Sequence, residues 1–167
     1  MEHIAVVNEN DEVIGFNEKL EVHKSGILHR AFSIVVFNNS NEILVQKRAF
    51  EKYHSPGLWT NTCCSHLAEG EIWDEVLHKR LVFEMGFDCL LEFAGKFHYK
   101  AEFDNGLIEN EIDHVFVGKW SGTPKPNPTE VCEYKWISKE TLIDNLEKTP
   151  SEFTIWLPYV LKTLQIL

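Results

Sequence analysis

Short apolar runs separated by turn-forming residues dominate the first third of the chain. Each run is rich in aliphatic and β-branched residues, and polar clusters at residues 8–11 and 38–41 separate them in pairs. The runs cover residues 4–7, 13–16, 32–37 and 43–46. Runs of this kind, joined by turns that contain Asn and Asp, predict two β-hairpins. Residues 17–29 are polar with a break at Gly26, which predicts a loop that carries His23 and His29.

The periodicity changes to that of a helix between residues 71 and 85. Apolar residues recur there at three- and four-residue steps. Glu71, Asp74 and Glu75 stand in the first turn, where the helix dipole favours negative charge. Gly86 follows as a candidate C-terminal cap, so this segment is the strongest helix prediction in the chain.

The remaining pattern mixes strands with two further helices. Strands are predicted at residues 59–64, 90–100, 112–120 and 132–137. A helix is predicted to begin after Ser138, whose hydroxyl can cap it. A last helix, opening at residues 150–152, is predicted to carry Trp156.

Length, charge and cysteine usage narrow the class of protein. At 167 residues and 19.4 kDa, the chain is predicted to form one domain over residues 1–167. A net charge of -10 and a pI near 5.2 argue against nucleic acid as a partner, so an anionic substrate must be met by a local basic pocket. Four cysteines without a framework spacing indicate reduced thiols. Because no signal-peptide pattern or membrane-length apolar run is present, we expect a soluble, cytoplasmic protein with no membrane partner.

Residues 61–71 bring a thiol, an imidazole and carboxylates to the N-terminus of the strongest predicted helix. If a strand runs through residues 60–66, Cys64 and His66 point to one face while Cys63 turns into the core. Cys64 is then a candidate reactant and Cys63 a packing residue. The alternative is that Cys64 is also a small buried hydrophobe, as free cysteines commonly are.

Three imidazoles and two carboxylates form a candidate metal site. They are His23, His29, His66, Glu109 and Glu111. Glu109 and Glu111 share a strand face by the same period of two. Three nitrogen and two oxygen ligands exceed a four-coordinate zinc site and suit a six-coordinate ion such as Mn²⁺ or Mg²⁺, with one position left open. Each residue alone could instead be a surface histidine or a solvated carboxylate.

Three motifs in a fixed order connect these candidates. They are residues 29–33 (HRAFS), 56–66 (PGLWTNTCCSH) and 109–111 (ENE). Together they resemble the signatures of type I isopentenyl-diphosphate delta-isomerase, a branch of the Nudix fold family. The similarity extends over essentially the whole chain and includes Lys19, Arg48, Lys52, Tyr99 and Trp156. It implies a single isomerase domain with an α+β fold, a Nudix-type α/β/α sandwich with a central mixed sheet and an N-terminal hairpin.

The resemblance also implies an activity, the interconversion of isopentenyl diphosphate and dimethylallyl diphosphate in isoprenoid biosynthesis. This 1,3-allylic rearrangement needs a proton donor and a proton acceptor on either side of the substrate. The resemblance assigns these roles to Cys64 and Glu111, with Tyr99 hydrogen-bonded close to the carboxylate. It sets Trp156 over the developing carbocation, where the indole stabilises positive charge.

The same resemblance implies two metal ions and a phosphate-binding group. Mn²⁺ or Mg²⁺, with Zn²⁺ as a further candidate, would be held by the five residues of the candidate metal site. A second ion, Mg²⁺, would lie between the diphosphate, Glu84 and the backbone carbonyl of Cys64. The cations expected around the phosphates are Lys19, Arg48, Lys52 and Arg80. The implied partner is a small-molecule diphosphate, and the expected assembly is a monomer or a weak homodimer.

Two other functions remain open. A Nudix pyrophosphohydrolase acting on a nucleoside diphosphate derivative would align its helix motif with Ser65 and Glu71, but Arg80 and Phe83 stand where it needs carboxylates. Losing two metal-binding carboxylates should cripple the activation of water. A non-catalytic metal-binding protein would keep the five ligands. In such a protein Cys64, Tyr99 and Trp156 would need structural roles.

Overall fold

The computed structural model describes all residues 1–167 and contains nine strands, four α-helices and one short 3₁₀ helix. The strands are β1 (His3–Val7), β2 (Val13–Glu18), β3 (His29–Phe37), β4 (Ile43–Arg48), β5 (Trp59–Thr60), β6 (Cys63–His66), β7 (Leu91–Glu102), β8 (Ile108–Lys119) and β9 (Val131–Ile137). The helices are α1 (Lys19–Ser25), α2 (Trp73–Met85), α3 (Lys139–Lys148) and α4 (Leu157–Thr163), and the 3₁₀ helix is Pro150–Glu152.

Strand β3 lies at the centre of a mixed sheet. On one side it pairs in parallel with β8 along its whole length, from His29 beside Glu111 to Phe37 beside Lys119. On the other side, β1, β6 and β4 pair with it in antiparallel at successive positions. The β1–β2 hairpin lies at one edge, and β7 and β8 form a long antiparallel hairpin. The mixed sheet and the N-terminal hairpin expected from the sequence are therefore confirmed.

Helices cover both faces of this sheet. Phe32 and Ile34 of β3 are fully buried in a cluster with the apolar side of α2. Val35 points to the opposite face, where it packs with residues of α3 and α4. Because successive residues of a strand point to opposite faces, β3 contributes to two cores, as expected of a strand that is apolar along its length. The layers form an α/β/α sandwich.

The loop predicted for residues 17–29 is wrong, because Lys19–Ser25 forms helix α1. Its start is capped by the Glu18 carboxylate, which accepts hydrogen bonds from the backbone N–H groups of Leu20 and Glu21. Its end is closed by Gly26, which adopts the left-handed conformation with φ 67°. The polar composition concealed a short helix that is fixed at both ends by caps.

The last predicted helix is also placed differently. Only Pro150–Glu152 is helical at the predicted start, and α4 begins at Leu157 with Trp156 as its N-cap residue. Between them, Thr154 donates a backbone hydrogen bond to the carbonyl of Trp59 at 3.0 Å. This pairing with β5 interrupts the helix, and Trp156 lies in the turn that leads into α4.

Other local predictions hold with small shifts in boundary. The long amphipathic helix begins at Trp73, two residues later than predicted, and Gly86 closes it in the left-handed conformation. Ser138 caps α3 by accepting a hydrogen bond from the backbone N–H of Thr141. The strand predicted at residues 59–64 is divided into β5 and β6. None of the helices combines the length and apolar character required to cross a membrane.

Replacing Gly86 with alanine should destabilise the protein more than the same change at Gly70. Both glycines have positive φ, 74° and 84°, but an added Cβ at Gly86 would lie 2.3 Å from the backbone oxygen of Lys125, while Gly70 has no atom within 4 Å. We expect Gly86→Ala to cost roughly 2–3 kcal/mol of unfolding free energy and Gly70→Ala about 1 kcal/mol. Denaturant unfolding of the two variants measures the difference, and equal losses would contradict the backbone clash.

Candidate active site

The register of three strands gathers the predicted site residues on one face of the sheet. His29 on β3 is the pairing partner of Glu111 on β8, and Ala31 on β3 pairs with His66 on β6. Because alternate residues share a face, Cys64 joins His66, and Glu109 joins Glu111. Cys63 is fully buried in the core on the α2 side. The two cysteines therefore point to opposite faces, as the sequence predicted.

His29, His66 and Glu111 are spaced as neighbouring ligands of one ion. The Oε2 atom of Glu111 lies 3.1 Å from Nε2 of His29 and 3.0 Å from Nε2 of His66. Adjacent ligands of an octahedral ion with bonds of about 2.1 Å are separated by about 3 Å. His29 also donates Nδ1–H to the carbonyl of Ile27 at 2.8 Å, so its Nε2 lone pair faces a carboxylate oxygen. A proton or a cation must lie between two such acceptors.

His23 joins the same group from helix α1. Its Nδ1–H donates to the carbonyl of Lys19 at 2.7 Å, and its buried Nε2 has no hydrogen-bond partner. Its ring centroid lies 4.8 Å from that of His29 and 5.2 Å from that of His66. The three imidazoles each offer a nitrogen within 4.8 Å of the others, so they could hold a metal ion. A metal ion would also satisfy the lone pair of this buried nitrogen, which otherwise has no partner.

The protonation of the group fits metal binding. Burial lowers the pKa of His23 and of His66, and for His66 the nearby His29 acts in the same direction. Both rings are therefore neutral at pH 7, as metal ligation requires. Burial also opposes charge on His29, but its contact with Glu111 raises the pKa of that ring. The same contact lowers the pKa of Glu111 against the effect of its burial, so this carboxylate stays ionised.

Glu109 is held by two donors at the edge of the group. The Tyr99 hydroxyl donates to its Oε2 atom, and Nε2 of His54 lies 2.6 Å from its Oε1 atom. Tyr99 therefore donates its hydrogen bond to Glu109, and it also lies close to Glu111, its pairing partner across β7 and β8, as the resemblance implied. Sequence reasoning missed His54 completely. The only signal was a histidine in the segment between two predicted site residues, Lys52 and Cys64.

The Cys64 thiol lies among polar groups and is kept protonated. Burial, with the charge of Asp113, raises the pKa of Cys64 to about 12. Its Sγ atom lies 3.2 Å from Oδ1 of Asn61 and 3.7 Å from Oγ of Ser33. Ser33 in turn donates to Asp113 at 2.8 Å. Asn61, Ser33 and Asp113 were not predicted, although the period of two from Glu111 would have placed Asp113 on the same face.

A cleft joins these groups to solvent. It encloses about 450 Å³, counting its open mouth. Its lining consists of Lys19, Ala31, Phe32, Arg48, Lys52, Tyr53, His54, Cys64, Ser65, His66, Arg80, Glu109, Glu111, Asp113 and Trp156. His23 and His29 are not part of the lining, because they are fully buried behind it. Cys64 and Glu111 thus open into one space, with the Trp156 side chain as part of its wall.

Four cations line the cleft, as the sequence predicted. They are Lys19, Arg48, Lys52 and Arg80. Lys52 and Arg80 both contact the carboxylate of Glu130, and the guanidinium of Arg48 lies 5.3 Å from the Trp156 ring centroid. Burial and the nearby positive charges lower the pKa of Lys19. The protein is acidic overall, but it concentrates positive charge at this opening.

Glu84 lies next to this group but is not among the residues that line the cleft. Its Oε1 atom accepts a hydrogen bond from Gln46 at 3.0 Å, and its Oε2 atom contacts Nε of Arg80 at 2.5 Å. The charge of Glu84 raises the pKa of Arg80, although burial opposes it. A cation bound by Glu84 would therefore compete with Arg80 for the same carboxylate.

Comparison with known proteins first identifies the class. The NUDIX domain family model matches residues 27–157. Among solved structures, the DR0079 protein of Deinococcus radiodurans shares the fold with a TM-score of 0.72 at 16% identity, covering 88% of this chain and 90% of that one. The NUDIX domain of Shewanella oneidensis NrtR, solved with ADP ribose, has a TM-score of 0.62 at 13% identity and covers 81% and 85% of the two chains. Likenesses at this level of identity concern the fold alone.

Curated relatives narrow the class to one family. Isopentenyl-diphosphate Delta-isomerase 2 of Photorhabdus laumondii is 44% identical over 163 residues, which cover 98% of this chain and 92% of the relative. Isopentenyl-diphosphate Delta-isomerase 1 of Aromatoleum aromaticum is 45% identical over 156 residues, with 93% and 88% covered. The chain therefore belongs to the isopentenyl-diphosphate Delta-isomerase family, within the NUDIX fold. The resemblance found from the sequence motifs is confirmed.

The metal site predicts a loss of binding when one imidazole is removed. Stripped of metal with a chelator and reloaded with Mn²⁺ or Zn²⁺, the wild-type protein should retain one tightly bound ion after dialysis. His66→Ala should weaken this binding by more than about 100-fold. Removing a hydrogen-bond partner of a ligand typically costs about 10- to 100-fold in metal affinity, and removing the ligand itself should cost more. Elemental analysis measures retention, with His78→Ala on the exposed side of α2 as the control. Equal retention in His66→Ala would remove this residue from the ligand set.

The environment of Cys64 predicts a slow reaction with alkylating reagents. Since only the thiolate reacts, a pKa of about 12 leaves Cys64 far less reactive at pH 7.5 than an ordinary thiol. We expect alkylation by iodoacetamide to be about 10³-fold slower than for a free cysteine of pKa about 8.5, and to accelerate as the pH rises. Peptide mass spectrometry over time measures each site, and exposed Cys132 provides the internal comparison. Equal rates at Cys64 and Cys132 would contradict the protonated thiol.

Proposed function

We propose that this protein interconverts isopentenyl diphosphate and dimethylallyl diphosphate by a metal-dependent 1,3-allylic rearrangement. One observation supports the assignment most directly: a thiol, a metal-site carboxylate, an indole and four cations line the same cleft. Family membership gives independent support, since the relatives carry this activity in their names. The reaction moves one proton onto the terminal carbon and removes another from the carbon nearer the oxygen, and no bond to phosphorus breaks.

In this proposal Cys64 and Glu111 are the acid and the base. The raised pKa of Cys64 favours a neutral thiol that can give up a proton, and the lowered pKa of Glu111 favours a carboxylate that can accept one. Environments that move two titrating groups in opposite directions are typical of an acid and base pair. Tyr99 acts beside them, where its hydroxyl fixes Glu109 next to Glu111.

Trp156 stabilises the intermediate charge. Its side chain is 4% exposed and lines the cleft, so the indole face is shielded from water. A cation over a desolvated indole gains about 2 kcal/mol. An indole accomplishes this without offering a nucleophile that would trap the carbocation.

Two ions complete the proposed site. His23, His29, His66, Glu109 and Glu111 would hold Mn²⁺, Mg²⁺ or Zn²⁺, which would keep Glu111 ionised and oriented. Bound Mg²⁺ would neutralise the diphosphate with help from Glu84 and the backbone carbonyl of Cys64. Glu84 would then hold the ion in place of Arg80, and Arg80 would join Lys19, Arg48 and Lys52 around the phosphates. The ring of cations accounts for diphosphate recognition by an acidic protein.

Hydrolysis of a nucleoside diphosphate derivative is the weaker candidate. On α2, Arg80 and Phe83 occupy the two positions where the hydrolase motif has carboxylates. Arg80 forms ion pairs with Glu84 and Glu130, and Phe83 is 47% exposed. Neither side chain can help to bind an ion that activates water.

We also propose that the protein acts as a single domain over residues 1–167, in the cytoplasm, as a monomer or a weak homodimer. Both helix layers share one sheet, which supports the single domain. Four free cysteines and a net charge of -10 are consistent with a reducing, aqueous compartment.

The assay that tests this function follows the substrate and product directly. Purified protein with Mg²⁺ and isopentenyl diphosphate should form dimethylallyl diphosphate and release no phosphate. Cys64→Ala and Glu111→Gln should each lower turnover by at least about 10²-fold, because each removes an acid or base. Cys63→Ala is the matched control and should keep most of the activity. Turnover that survives in Cys64→Ala would refute the acid, and phosphate release without isomerisation would refute the function.

A further inference from the structure

His54 lies inside the cleft beside the metal-site residues, although the sequence motifs give it no role. It belongs to the connection between β4 and β5, and it is only 5% exposed. Its backbone carbonyl accepts a hydrogen bond from Nη2 of Arg48 at 3.2 Å, which fixes the main chain at this position. A buried imidazole that lines a polar cleft requires a hydrogen-bond partner.

That partner is Glu109. Nε2 of His54 lies 2.6 Å from its Oε1 atom. An ionised carboxylate can only accept, so Nε2 must carry the hydrogen of this contact. Nδ1 of His54 is buried and has no partner, so the contact with Glu109 is the one hydrogen bond of the ring. The ring therefore acts as a donor toward the carboxylate.

Glu109 is consequently held from two sides. His54 donates to Oε1, and the Tyr99 hydroxyl donates to Oε2. Each carboxylate oxygen can accept more than one contact, so this arrangement fixes the carboxylate and still leaves a lone pair for a cation. Carboxylates that bind metal ions are commonly oriented by hydrogen bonds of this kind.

The imidazole of His54 lies outside the inner group of three. Its ring centroid is 6.3 Å from that of His23, whereas the rings of His23, His29 and His66 lie 4.8–5.2 Å apart. Aromatic side chains hold it there. The ring stacks on Phe103 at 5.0 Å and meets Trp156 edge to face at 5.6 Å. A nitrogen of His54 also lies within 4.8 Å of ligand atoms of His23 and Glu109, so distance alone would allow ligation. Because its Nε2 atom contacts Glu109 and its ring packs against Phe103 and Trp156, its position favours a supporting residue.

We propose that His54 is a positioning residue that orients Glu109 for the divalent cation. The inference rests on the proposed metal site and adds a residue to it. Because His54 also contacts Trp156, it links the orientation of the metal-site carboxylate to the aromatic wall of the cleft.

Metal affinity of two variants tests the role without relying on turnover. His54→Phe keeps the aromatic contacts with Phe103 and Trp156 but removes the donor, whereas His54→Gln restores an N–H at nearly the same place. In a competition titration of metal-free protein with Mn²⁺ and a chelator, His54→Phe should bind about 10- to 100-fold more weakly, and His54→Gln should bind nearly as tightly as wild type. Unchanged affinity in His54→Phe, or equally weak binding in both variants, would overturn the proposal.

A double-mutant comparison separates positioning from direct ligation. If His54 acts through Glu109, His54→Phe should cause no further loss of Mn²⁺ affinity once Glu109→Gln is present. A further loss in that background would mean that His54 binds the ion itself, and this would overturn the proposal.

The wild-type protein offers a test that needs no variant to fold. In ¹⁵N NMR of the Zn²⁺-loaded protein, His54 should carry its hydrogen on Nε2. A hydrogen on Nδ1 would mean that Nε2 is bound to the ion, which overturns the positioning role. These readouts are independent of the proposed reaction. If the affinity pattern holds but the wild-type protein does not isomerise the substrate, the function fails and the inference stands. If the protein turns over the substrate but its metal affinity is insensitive to His54→Phe, the function stands and the inference fails.

Discussion

The parallel pairing of β3 with β8 is the constraint on which the site depends. It sets His29 beside Glu111, and the antiparallel pairing of β6 brings His66 to the same place from the other side of β3. A shift of the register by one residue would turn these side chains to the opposite face of the sheet. The metal site is therefore a consequence of strand register and cannot form from any one segment of the chain.

This register also carries an energetic cost. His23, His29, Glu109 and Glu111 are each 4% exposed or less. Buried charges destabilise a protein unless they are paired and hydrogen-bonded. The imidazole and carboxylate groups partly satisfy one another, and His54 and Tyr99 complete the contacts of Glu109. Nε2 of His23 has no partner, and Nε2 of His29 faces a carboxylate oxygen of Glu111. A divalent cation would accept the lone pairs of all three atoms.

The basic and the buried parts of the cleft differ in how their charges are held. At the mouth, Lys52 and Arg80 are held by Glu130, so the positive charges are already near one another before a ligand arrives. In the interior, burial and the charge of Asp113 raise the pKa of Cys64, whereas the contact with His29 lowers the pKa of Glu111 against the effect of burial. Pre-arranged charge lowers the cost of reorganisation during a proton transfer.

The sequence by itself determined most of the local elements and named most of the polar groups that line the cleft. Alternation along residues 63–66 separated Cys63 from Cys64, the apolar period fixed α2, and Gly86 and Ser138 marked helix ends correctly. These features depend on neighbours within a few residues, which a pattern can reveal. The motifs then identified the family, because they preserve chemical groups in a fixed order.

Only the tertiary structure decided which of these groups meet. His29 and Glu111 are 82 positions apart, and nothing local in either segment indicates their pairing. The contact of His54 with Glu109 likewise joins the β4–β5 connection to a strand 55 positions later in the chain. Local patterns encode a residue's preference for a helix or a strand face, whereas contacts between faces are set by the joint burial of the whole sheet.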